Sequence, residues 1–227
     1  IPRDHSDATE ATRCFEVNAL GTLNLLRAGE CAGVRRFIYV SSASVLSPRS
    51  EFVKEDDSVG CEHSPYYSGS KVLGEIYVRA KIARCLDGLI VRPSAIYGPG
   101  MRTGVIWNFV ESIRSGVPIW LQNGGRFRAD YIWRDDVANV LCEAVTAHHR
   151  GEINLGSGQA NSVLDVAKLI VEIFDADPCL IQNGTIGSQV GSGGFAPIDI
   201  KRARDWFNFN PTSLRDGLVR WFMSGAR

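Results

Sequence analysis

The chain has 227 residues, 44% of them hydrophobic, which is enough for one sizeable domain or for a core with a smaller lobe. Lysine and arginine together number 25, as do aspartate and glutamate, so the formal net charge is zero. No basic block of the kind that follows a phosphate backbone is present, so we expect a globular protein without a nucleic-acid partner.

No apolar run approaches the roughly 18 residues that a membrane helix needs, and no charged-then-apolar leader opens the sequence. The six cysteines are scattered, without a CxxC pair or a Cys/His cluster, and are expected to be reduced and mostly buried. These features predict a cytoplasmic protein with no membrane partner and no metal site.

The first predicted elements are a helix and a strand. The helix covers residues 9–31 and ends near Gly33, because apolar side chains recur there at helical spacing: Val17, Leu20, Leu23, Leu25 and Leu26. The strand is "RRFIYVSS" (35–42), a β-branched and aromatic run typical of a parallel sheet. We expect residues 36–40 to be buried on both faces and paired on both edges.

A second helix and a second strand follow. Ser64 is a good helix cap and Pro65 a good first helical residue, and the helix is predicted to run to about Arg84. The run "GLIVRPSAIYGPG" (88–100) indicates another buried strand, cut off by Pro93. Helices and strands in this order favour right-handed crossovers and a parallel sheet.

Beyond Gly100 the predicted elements are shorter and mixed: a helix over 104–115, strands at 117–122 and 129–133, a helix from Asp135 to about 148, a strand at 151–156, a helix over 162–174, a Gly-rich loop over 183–194 and a helix over 212–223. The pattern predicts an α/β fold with a parallel sheet in residues 1–100 and a smaller α+β lobe in residues 101–227. The helix within 131–150 is expected to return to the first part.

In "SPYYSGSK", Tyr67 lies four residues before Lys71, and residues four apart share a face of a helix. An ammonium beside a phenol lowers the phenol pKa from about 10 toward the working pH, as a general acid/base for alcohol–carbonyl interconversion requires. The spacing alone also fits an amphipathic surface pair. Tyr66 is turned about 100° away and is interpreted as packing or pocket wall.

Three serines lie at or just past the end of the first strand: Ser41, Ser42 and Ser44. Open α/β sheets bind ligands at the carboxyl ends of their strands, where a hydroxyl can hold a substrate oxygen beside the tyrosine. Serines in this position are also common turn-formers.

Taken together, the runs "NALGTLNLLRA", "RRFIYVSSASV", "SPYYSGSKVLGE", "VRPSAIYGPG", "ADYIWRDDVA" and "INLGSG" resemble the extended short-chain dehydrogenase/reductases, the NAD-dependent epimerase/dehydratase group. The resemblance covers most of the chain in the family's order. It implies a Rossmann-like parallel sheet as a partial NAD(P)-binding domain in residues 1–100, and a substrate-binding lobe in residues 101–227.

The resemblance also implies roles for individual residues. Tyr67 would be the catalytic base, Lys71 would hold the cofactor ribose and lower the pKa of Tyr67, and Ser42 would polarise the substrate carbonyl or hydroxyl. Asn18 resembles the asparagine of the family's active-site tetrad, with a polar residue satisfied inside a helix as the alternative. The cofactor, NAD or NADP, is then expected at Ser41, Tyr67, Lys71 and Pro93.

One part of the family pattern is not found. The glycine-rich phosphate loop GxxGxxG does not precede Asn18. Gly156 and Gly158 follow a predicted strand but lack a third glycine, and "GSGGFA" (191–196) follows no strand. We therefore expect that N-terminal strands with the adenine and diphosphate half of the site are missing, as in a fragment, an ordered remnant or a truncated gene product.

The substrate is less well defined by the sequence. In family members that act on nucleotide sugars, an Asn after "RP" and an Arg before "DY" contact the diphosphate, and Ala95 and Ala129 stand here instead. Nearby arginines can substitute, or are solvated surface residues. Substrate contacts are accordingly assigned to Ser42, Ser44, Arg126 and Arg128. An apolar substrate is the alternative, in a pocket of tryptophans that are also typical of a core: Trp107, Trp120 and Trp133.

These interpretations predict an NAD(P)-dependent oxidoreductase or epimerase/dehydratase acting on a secondary alcohol or ketone, with a nucleotide sugar as one substrate class. A hydroxysteroid-dehydrogenase-like reductase of an apolar carbonyl is the first alternative, and a truncated, inactive relative is the second. Family members often pair through the helix that carries the Tyr and Lys, so the resemblance also implies a homodimer.

Overall fold

The computed structural model describes residues 8–47, 51–61, 64–84, 86–184 and 194–222. Contacts divide the chain into two units, of residues 1–94, 138–155 and 199–209, and of residues 95–137, 156–198 and 210–227. The first unit thus contains residues 138–155 and 199–209 in addition to residues 1–94. The expected division at residue 100 into two functional parts stays a prediction. Which unit holds the cofactor and which the substrate stays a prediction.

The helices and strands of the described residues are, in chain order, α1 (Ala8–Cys14), α2 (Gly21–Cys31), β1 (Arg36–Val40), α3 (Pro65–Ile82), β2 (Asp87–Pro93), β3 (Ala95–Tyr97), α4 (Val105–Arg114), β4 (Ile119–Leu121), β5 (Arg128–Trp133), α5 (Arg134–Ala144), β6 (Gly151–Leu155), β7 (Ala160–Ser162), α6 (Val163–Ile173), β8 (Ile181–Asn183), α7 (Lys201–Phe207) and α8 (Leu214–Phe222). A π-helical stretch, Phe15–Leu20, joins α1 to α2.

The first predicted helix is present, but its winding changes in the middle. In the π-helical stretch the backbone is wound more loosely, and the N–H of Gly21 donates to the carbonyl of Glu16, five residues back. Such segments are frequent at functional sites, and this one contains Asn18. The helix ends at Cys31, and Gly33 takes the left-handed φ of +69° that is common just after a helix.

Three parallel strands, in the order β1-β2-β6, form the sheet of the first unit. The sheet and its helices confirm the α/β class. Strand β2 lies between two neighbours and is buried from Gly88 to Pro93. The expected burial of β1 on both faces and both edges is wrong for the described residues, because β1 pairs only with β2 and Val40 is 37% exposed.

Helix α3 begins at Pro65, as predicted, and ends at Ile82. The side chain of Ser64 makes no capping hydrogen bond, so this part of the expectation is wrong. The backbone of Ser64 contributes instead, since its carbonyl accepts the N–H of Ser68 at 2.7 Å.

The second unit contains the shorter, mixed elements that the sequence predicts. Its sheets have the orders β3-β5-β7 and β4-β8, with β5 and β7 antiparallel and the other pairs parallel. Helix α6 begins with a reciprocal capping box between Ser162 and Asp165. Strands β3, β7 and β8 of this unit and helix α7 of the first unit were not predicted.

Each unit has its own apolar cluster. The first is centred on Leu26, Tyr39, Val78 and Ile90. The second includes many more side chains, among them a buried Trp133 that meets Tyr97 edge to face, with ring centroids 5.4 Å apart. In the first unit the rings of His149 and Trp206 stack at 4.8 Å, with an interplanar angle of 7°.

The expectation of mostly buried cysteines is wrong. Among the described residues Cys14 is buried and Cys61 is half-buried, whereas three others are exposed: Cys31, Cys142 and Cys179. Two predicted features lie outside the described residues, namely Cys85 and the start of "GSGGFA" (191–193). Within the described ranges, no helix combines the length and the apolar character required to cross a membrane.

Candidate active site

The candidate site is built at the carboxyl end of β1. The N–H of Ser41 donates to the carbonyl of Val91 at 2.7 Å, which continues the ladder with β2 by one residue and leaves Ser41 buried. Ser42 is extended and caps the short helical turn Ala43–Val45, its Oγ accepting the N–H of Ser44 at 3.2 Å. The end of the strand thus fixes the direction of the Ser42 side chain.

The hydroxyl groups of three serines form a chain that begins at Ser42. The Oγ atoms of Ser42 and Ser44 are 2.9 Å apart, and those of Ser44 and Ser68 are 3.1 Å apart. Ser68 lies in the first turn of α3 and is fully buried. The chain therefore joins the turn after β1 to the start of the helix that carries the Tyr–Lys pair.

Tyr67 lies beside Ser42, whose hydroxyl influences the pKa of the phenol. Burial raises the pKa of the Tyr67 phenol, and the neighbouring Ser42 hydroxyl opposes this rise. The pKa in this arrangement is above its ordinary value, whereas the sequence predicts a lowering by Lys71. Burial, which the spacing of the two residues cannot report, dominates here.

Lys71 reaches back from α3 toward β1. Its Nζ donates to the carbonyl of Val40 at 2.9 Å and lies 5.9 Å from the ring centroid of Tyr67 and 5.4 Å from that of Tyr39. Burial lowers the pKa of Lys71, and the charge of Glu75 opposes this. The structure thus brings Ser42, Tyr67 and Lys71 together.

Asn18 is connected to the same helix. Its Nδ2 donates to Ser70 Oγ at 3.0 Å, and Ser70 Oγ in turn donates to the carbonyl of Tyr67 at 2.7 Å. Its own carbonyl accepts from Thr22 Oγ1 at 2.7 Å. The Asn18 side chain is therefore linked through Ser70 to the backbone of Tyr67. Its role in the active site stays a prediction.

The other predicted site residues lie in different places. Pro93 is buried as the last residue of β2, paired in register with Leu155. Arg126 and Arg128 belong to the second unit and are exposed, and the guanidinium of Arg128 donates to the carbonyl of Ala160. Their contact with a substrate stays a prediction.

The three tryptophans proposed for an apolar pocket differ in environment. Trp133 is 4% exposed and Trp120 is 61% exposed. Trp107 stacks on Trp221, with ring centroids 6.2 Å apart. Of the three, Trp133 is a core residue, so a lining made of all three is not supported.

Sequence reasoning missed a buried ion pair next to the site, Glu75 with Arg92. Glu75 lies four residues after Lys71 and so on the same helix face, and Arg92 directly precedes Pro93. The sequence contains a signal for this ion pair, because a charged residue inside a strand as apolar as "GLIVRP" needs a partner.

Comparison with known proteins places these motifs in a family. A model of the NAD dependent epimerase/dehydratase family matches residues 2–156. A UDP-glucose 4-epimerase of Mycolicibacterium smegmatis is 30% identical over 212 residues, which cover 90% of this chain and 66% of the relative. A 3 beta-hydroxysteroid dehydrogenase/Delta 5-->4-isomerase of Mycobacterium tuberculosis is 37% identical over 109 residues, 46% of this chain and 29% of the relative.

Among solved structures, MoeE5 in complex with UDP-glucuronic acid and NAD is similar, with a TM-score of 0.78 and 28% identity. The match covers 90% of this chain and 69% of that one. The chain spans less than two thirds of the length of the curated relatives it matches.

Proposed function

The chain belongs to the NAD dependent epimerase/dehydratase family, and we propose that it carries the proton-transfer half of an NAD-dependent enzyme that interconverts a secondary alcohol and a ketone. The observation that carries this proposal is the grouping of Ser42, Tyr67 and Lys71 at the carboxyl end of β1, with the Ser42 hydroxyl beside the Tyr67 phenol and the Lys71 ammonium 5.9 Å from the centroid of the Tyr67 ring.

The residues present fit the nicotinamide and ribose end of the cofactor. Lys71 offers a partly desolvated ammonium and Tyr67 a phenol, both of which suit ribose hydroxyls, and Pro93 closes the end of the neighbouring strand. When bound, NAD accepts or returns a hydride at its nicotinamide ring. No described residue is assigned to the diphosphate.

The chain's own residues would then handle the proton. Tyr67 in its phenolate form takes the proton of the substrate hydroxyl, while the Ser42 hydroxyl donates a hydrogen bond to the same oxygen. Because burial raises the pKa of Tyr67, this role requires the Ser42 hydroxyl and the positive charge of Lys71 together.

A nucleotide sugar is the favoured substrate class. The 30% identity to a UDP-glucose 4-epimerase extends over most of this chain, and MoeE5 was solved with UDP-glucuronic acid. A hydroxysteroid is the second candidate, favoured by the 37% identity to the mycobacterial dehydrogenase and by Ala95 and Ala129 at the positions where diphosphate contacts were expected.

The test is Tyr67→Phe with Tyr66→Phe as the matched control, in the protein expressed from its complete reading frame. Both variants remove one phenol hydroxyl, but only Tyr67 is assigned the proton transfer. We expect Tyr67→Phe to lower kcat by about 10²–10⁴-fold, the usual contribution of general acid–base catalysis. UDP-glucose and a 3β-hydroxysteroid, each assayed with NAD, distinguish the two substrate classes. Near wild-type turnover by Tyr67→Phe would contradict the proposal.

A further inference from the structure

A fully buried ion pair lies one helical turn beyond Lys71. The Glu75 carboxylate accepts from Arg92 Nε at 2.9 Å and from Arg92 Nη2 at 2.8 Å, and the two side chains are 0% and 1% exposed. This is the two-pronged geometry in which arginine binds a carboxylate most strongly. Burial alone raises the pKa of Glu75, but its contacts with Arg92 hold that pKa below its ordinary value. Glu75 is therefore an anion inside the first unit.

Stability alone does not account for such a pair. Removing two charges from water is costly, and an apolar pair of similar volume is often as stable or more so. A buried charge in this place can act on the ionisable groups beside it.

The pair holds several backbone segments together. Arg92 is the residue before Pro93 at the end of β2, and its Nη1 donates to the carbonyl of Glu55 at 3.0 Å. The side chain of Glu55 accepts the N–H of Asn154, in β6, at 2.9 Å. Through Glu75, helix α3 is thus fixed against the strand end that borders the candidate site.

The pair also has an electrostatic effect on Lys71. Lys71 and Glu75 are four residues apart and share one face of α3. Among the described residues, three groups without charge at neutral pH also face Lys71: the rings of Tyr67 and Tyr39 and the carbonyl of Val40. Burial lowers the pKa of Lys71, and Glu75 is the carboxylate whose charge opposes this among the described residues.

Neighbouring arginines stabilise the charge of Glu75. Arg92 faces it from β2, and Arg79, on its own helix, donates from Nη2 at 2.7 Å. Arg79 is shared with Glu152 of β6, at 2.5 Å, and Tyr39 of β1 also lies within the field of Glu75. The surrounding charges therefore favour the ionised form of Glu75.

We propose that Glu75 is a positioning residue of the candidate site, whose buried carboxylate, held by Arg92, keeps the ammonium of Lys71 charged and its helix in place against β2. The effect on Lys71 rests on the helix face that the two residues share and on the burial of the carboxylate, and its consequence for turnover rests on the proposed function.

The first experiment measures Lys71 directly, by pH titration of the lysine side-chain NMR signals of the whole chain. The sequence contains five lysines, and Lys71→Arg identifies the signal of Lys71. In Glu75→Gln we expect the titration midpoint of Lys71 to fall. Glu30→Gln is the matched control, since it removes a carboxylate paired with another lysine of α3, Lys81, and should leave the Lys71 midpoint unchanged.

Glu75→Gln leaves Arg92 buried without its main partner and can fail to fold. The double variant E75Q/R92Q removes both charges and lets the two amides hydrogen-bond to each other. If Glu75 acts only by holding the fold, the double variant will restore the wild-type midpoint of Lys71, and the inference is overturned. If the midpoint stays low in a folded double variant while Glu75→Asp keeps it near wild type, the inference is supported.

The pH dependence of kcat then separates this inference from the proposed function. We expect the alkaline limb to move to lower pH in E75Q/R92Q, because the charged form of Lys71 is lost at lower pH. A lowered midpoint with an unchanged pH profile would support the role of Glu75 toward Lys71 and would contradict the role of Lys71 in turnover.

Discussion

Ser70 is a small residue whose hydroxyl makes one long-range and one local hydrogen bond. It is 5% exposed, and its hydroxyl accepts from the Asn18 amide and donates to the Tyr67 carbonyl. In this way the π-helical stretch around Asn18 is linked to the first turn of α3. Asn18 thus positions the backbone of Tyr67, which is 49 residues away in sequence. It acts through Ser70, which is 52 residues from Asn18.

We predict that Ser70→Ala lowers the free energy of unfolding by about 1–3 kcal/mol, because it leaves the partly buried partners of the hydroxyl without this hydrogen bond. Urea denaturation of Ser70→Ala, Asn18→Ala and the double variant measures the coupling, which we expect to be about 0.5–1.5 kcal/mol. Strictly additive effects would show that the Asn18–Ser70 hydrogen bond contributes nothing to stability.

Some of these residue-level contacts could be predicted from the sequence and others could not. Tyr67 and Lys71 share a helix face because of their spacing alone, and Ser42 follows from its place at the end of β1. The direction of the Tyr67 pKa depends on how much of the phenol is buried, which no spacing of residues reports. The pair of Glu75 with Arg92 joins residues 17 apart and depends on how α3 packs on β2.

At the scale of elements, Gly74 sets how closely α3 approaches β1. A Cβ at this position would collide with the Tyr39 hydroxyl, would lie 2.5 Å from Tyr39 Cζ and would be 3.0 Å from the Asn18 carbonyl. The Tyr39 hydroxyl donates to the carbonyl of Lys71 at 3.3 Å. The close packing of this helix therefore depends on the absence of a side chain.

We predict that Gly74→Ala lowers the free energy of unfolding by about 1–3 kcal/mol, the usual cost of overpacking a filled interior. Gly69→Ala, on the same helix with nothing within 4 Å of its added Cβ, is the control and should raise stability by up to about 1 kcal/mol. Denaturation of both variants by urea provides the comparison. Equal effects of the two substitutions would contradict the packing argument.

The elements that the sequence analysis missed are short or irregular. Helix α7 has only seven residues, without a clear apolar period, and its signals are an Asp199 carboxylate that accepts the N–H of Lys201 at 2.9 Å and a left-handed Asn208 at its end. The π-helical stretch has no signature in apolar spacing, because one extra residue in a turn leaves the average period nearly unchanged.

At the scale of the whole chain, tyrosines link stability to alkaline pH. Burial raises the pKa of Tyr131 to about 12 and also raises those of Tyr39, Tyr67 and Tyr97. In an unfolded chain a tyrosine has a pKa of about 10. The folded state therefore keeps these protons at pH values at which the unfolded state has lost them.

The sign follows from the proton balance. The stability that each buried phenol contributes is fully present below about pH 10 and is lost as the pH rises through the folded pKa. The free energy of unfolding should therefore fall between about pH 10 and 12. The fall should be up to about 1.4 kcal/mol per pH unit for each such tyrosine. Tyr131→Phe should make this fall less steep, as measured by urea denaturation across that range. A wild-type stability that is flat from pH 10 to 12 would contradict the prediction.

The architecture of the first half could be predicted because strands and helices alternate there with clear periods, and this order favours a parallel sheet. The division into units could not be predicted from the sequence, because residues 199–209 belong to the first unit although they follow most of the second unit in the chain. Only three-dimensional contacts show such a return, and the loop before it carries no apolar period.

The stacking of Trp206 on His149 has a practical consequence. Four of the five tryptophans belong to the second unit, and Trp206 is the one that belongs to the first. The emission of an indole changes when a stacked ring leaves it, so the fluorescence of Trp206 should report the unfolding of the first unit. The difference between the fluorescence of the wild type and that of Trp206→Phe gives this signal. The chain thus contains an intrinsic probe with which the melting of the unit that carries Tyr67 can be followed separately.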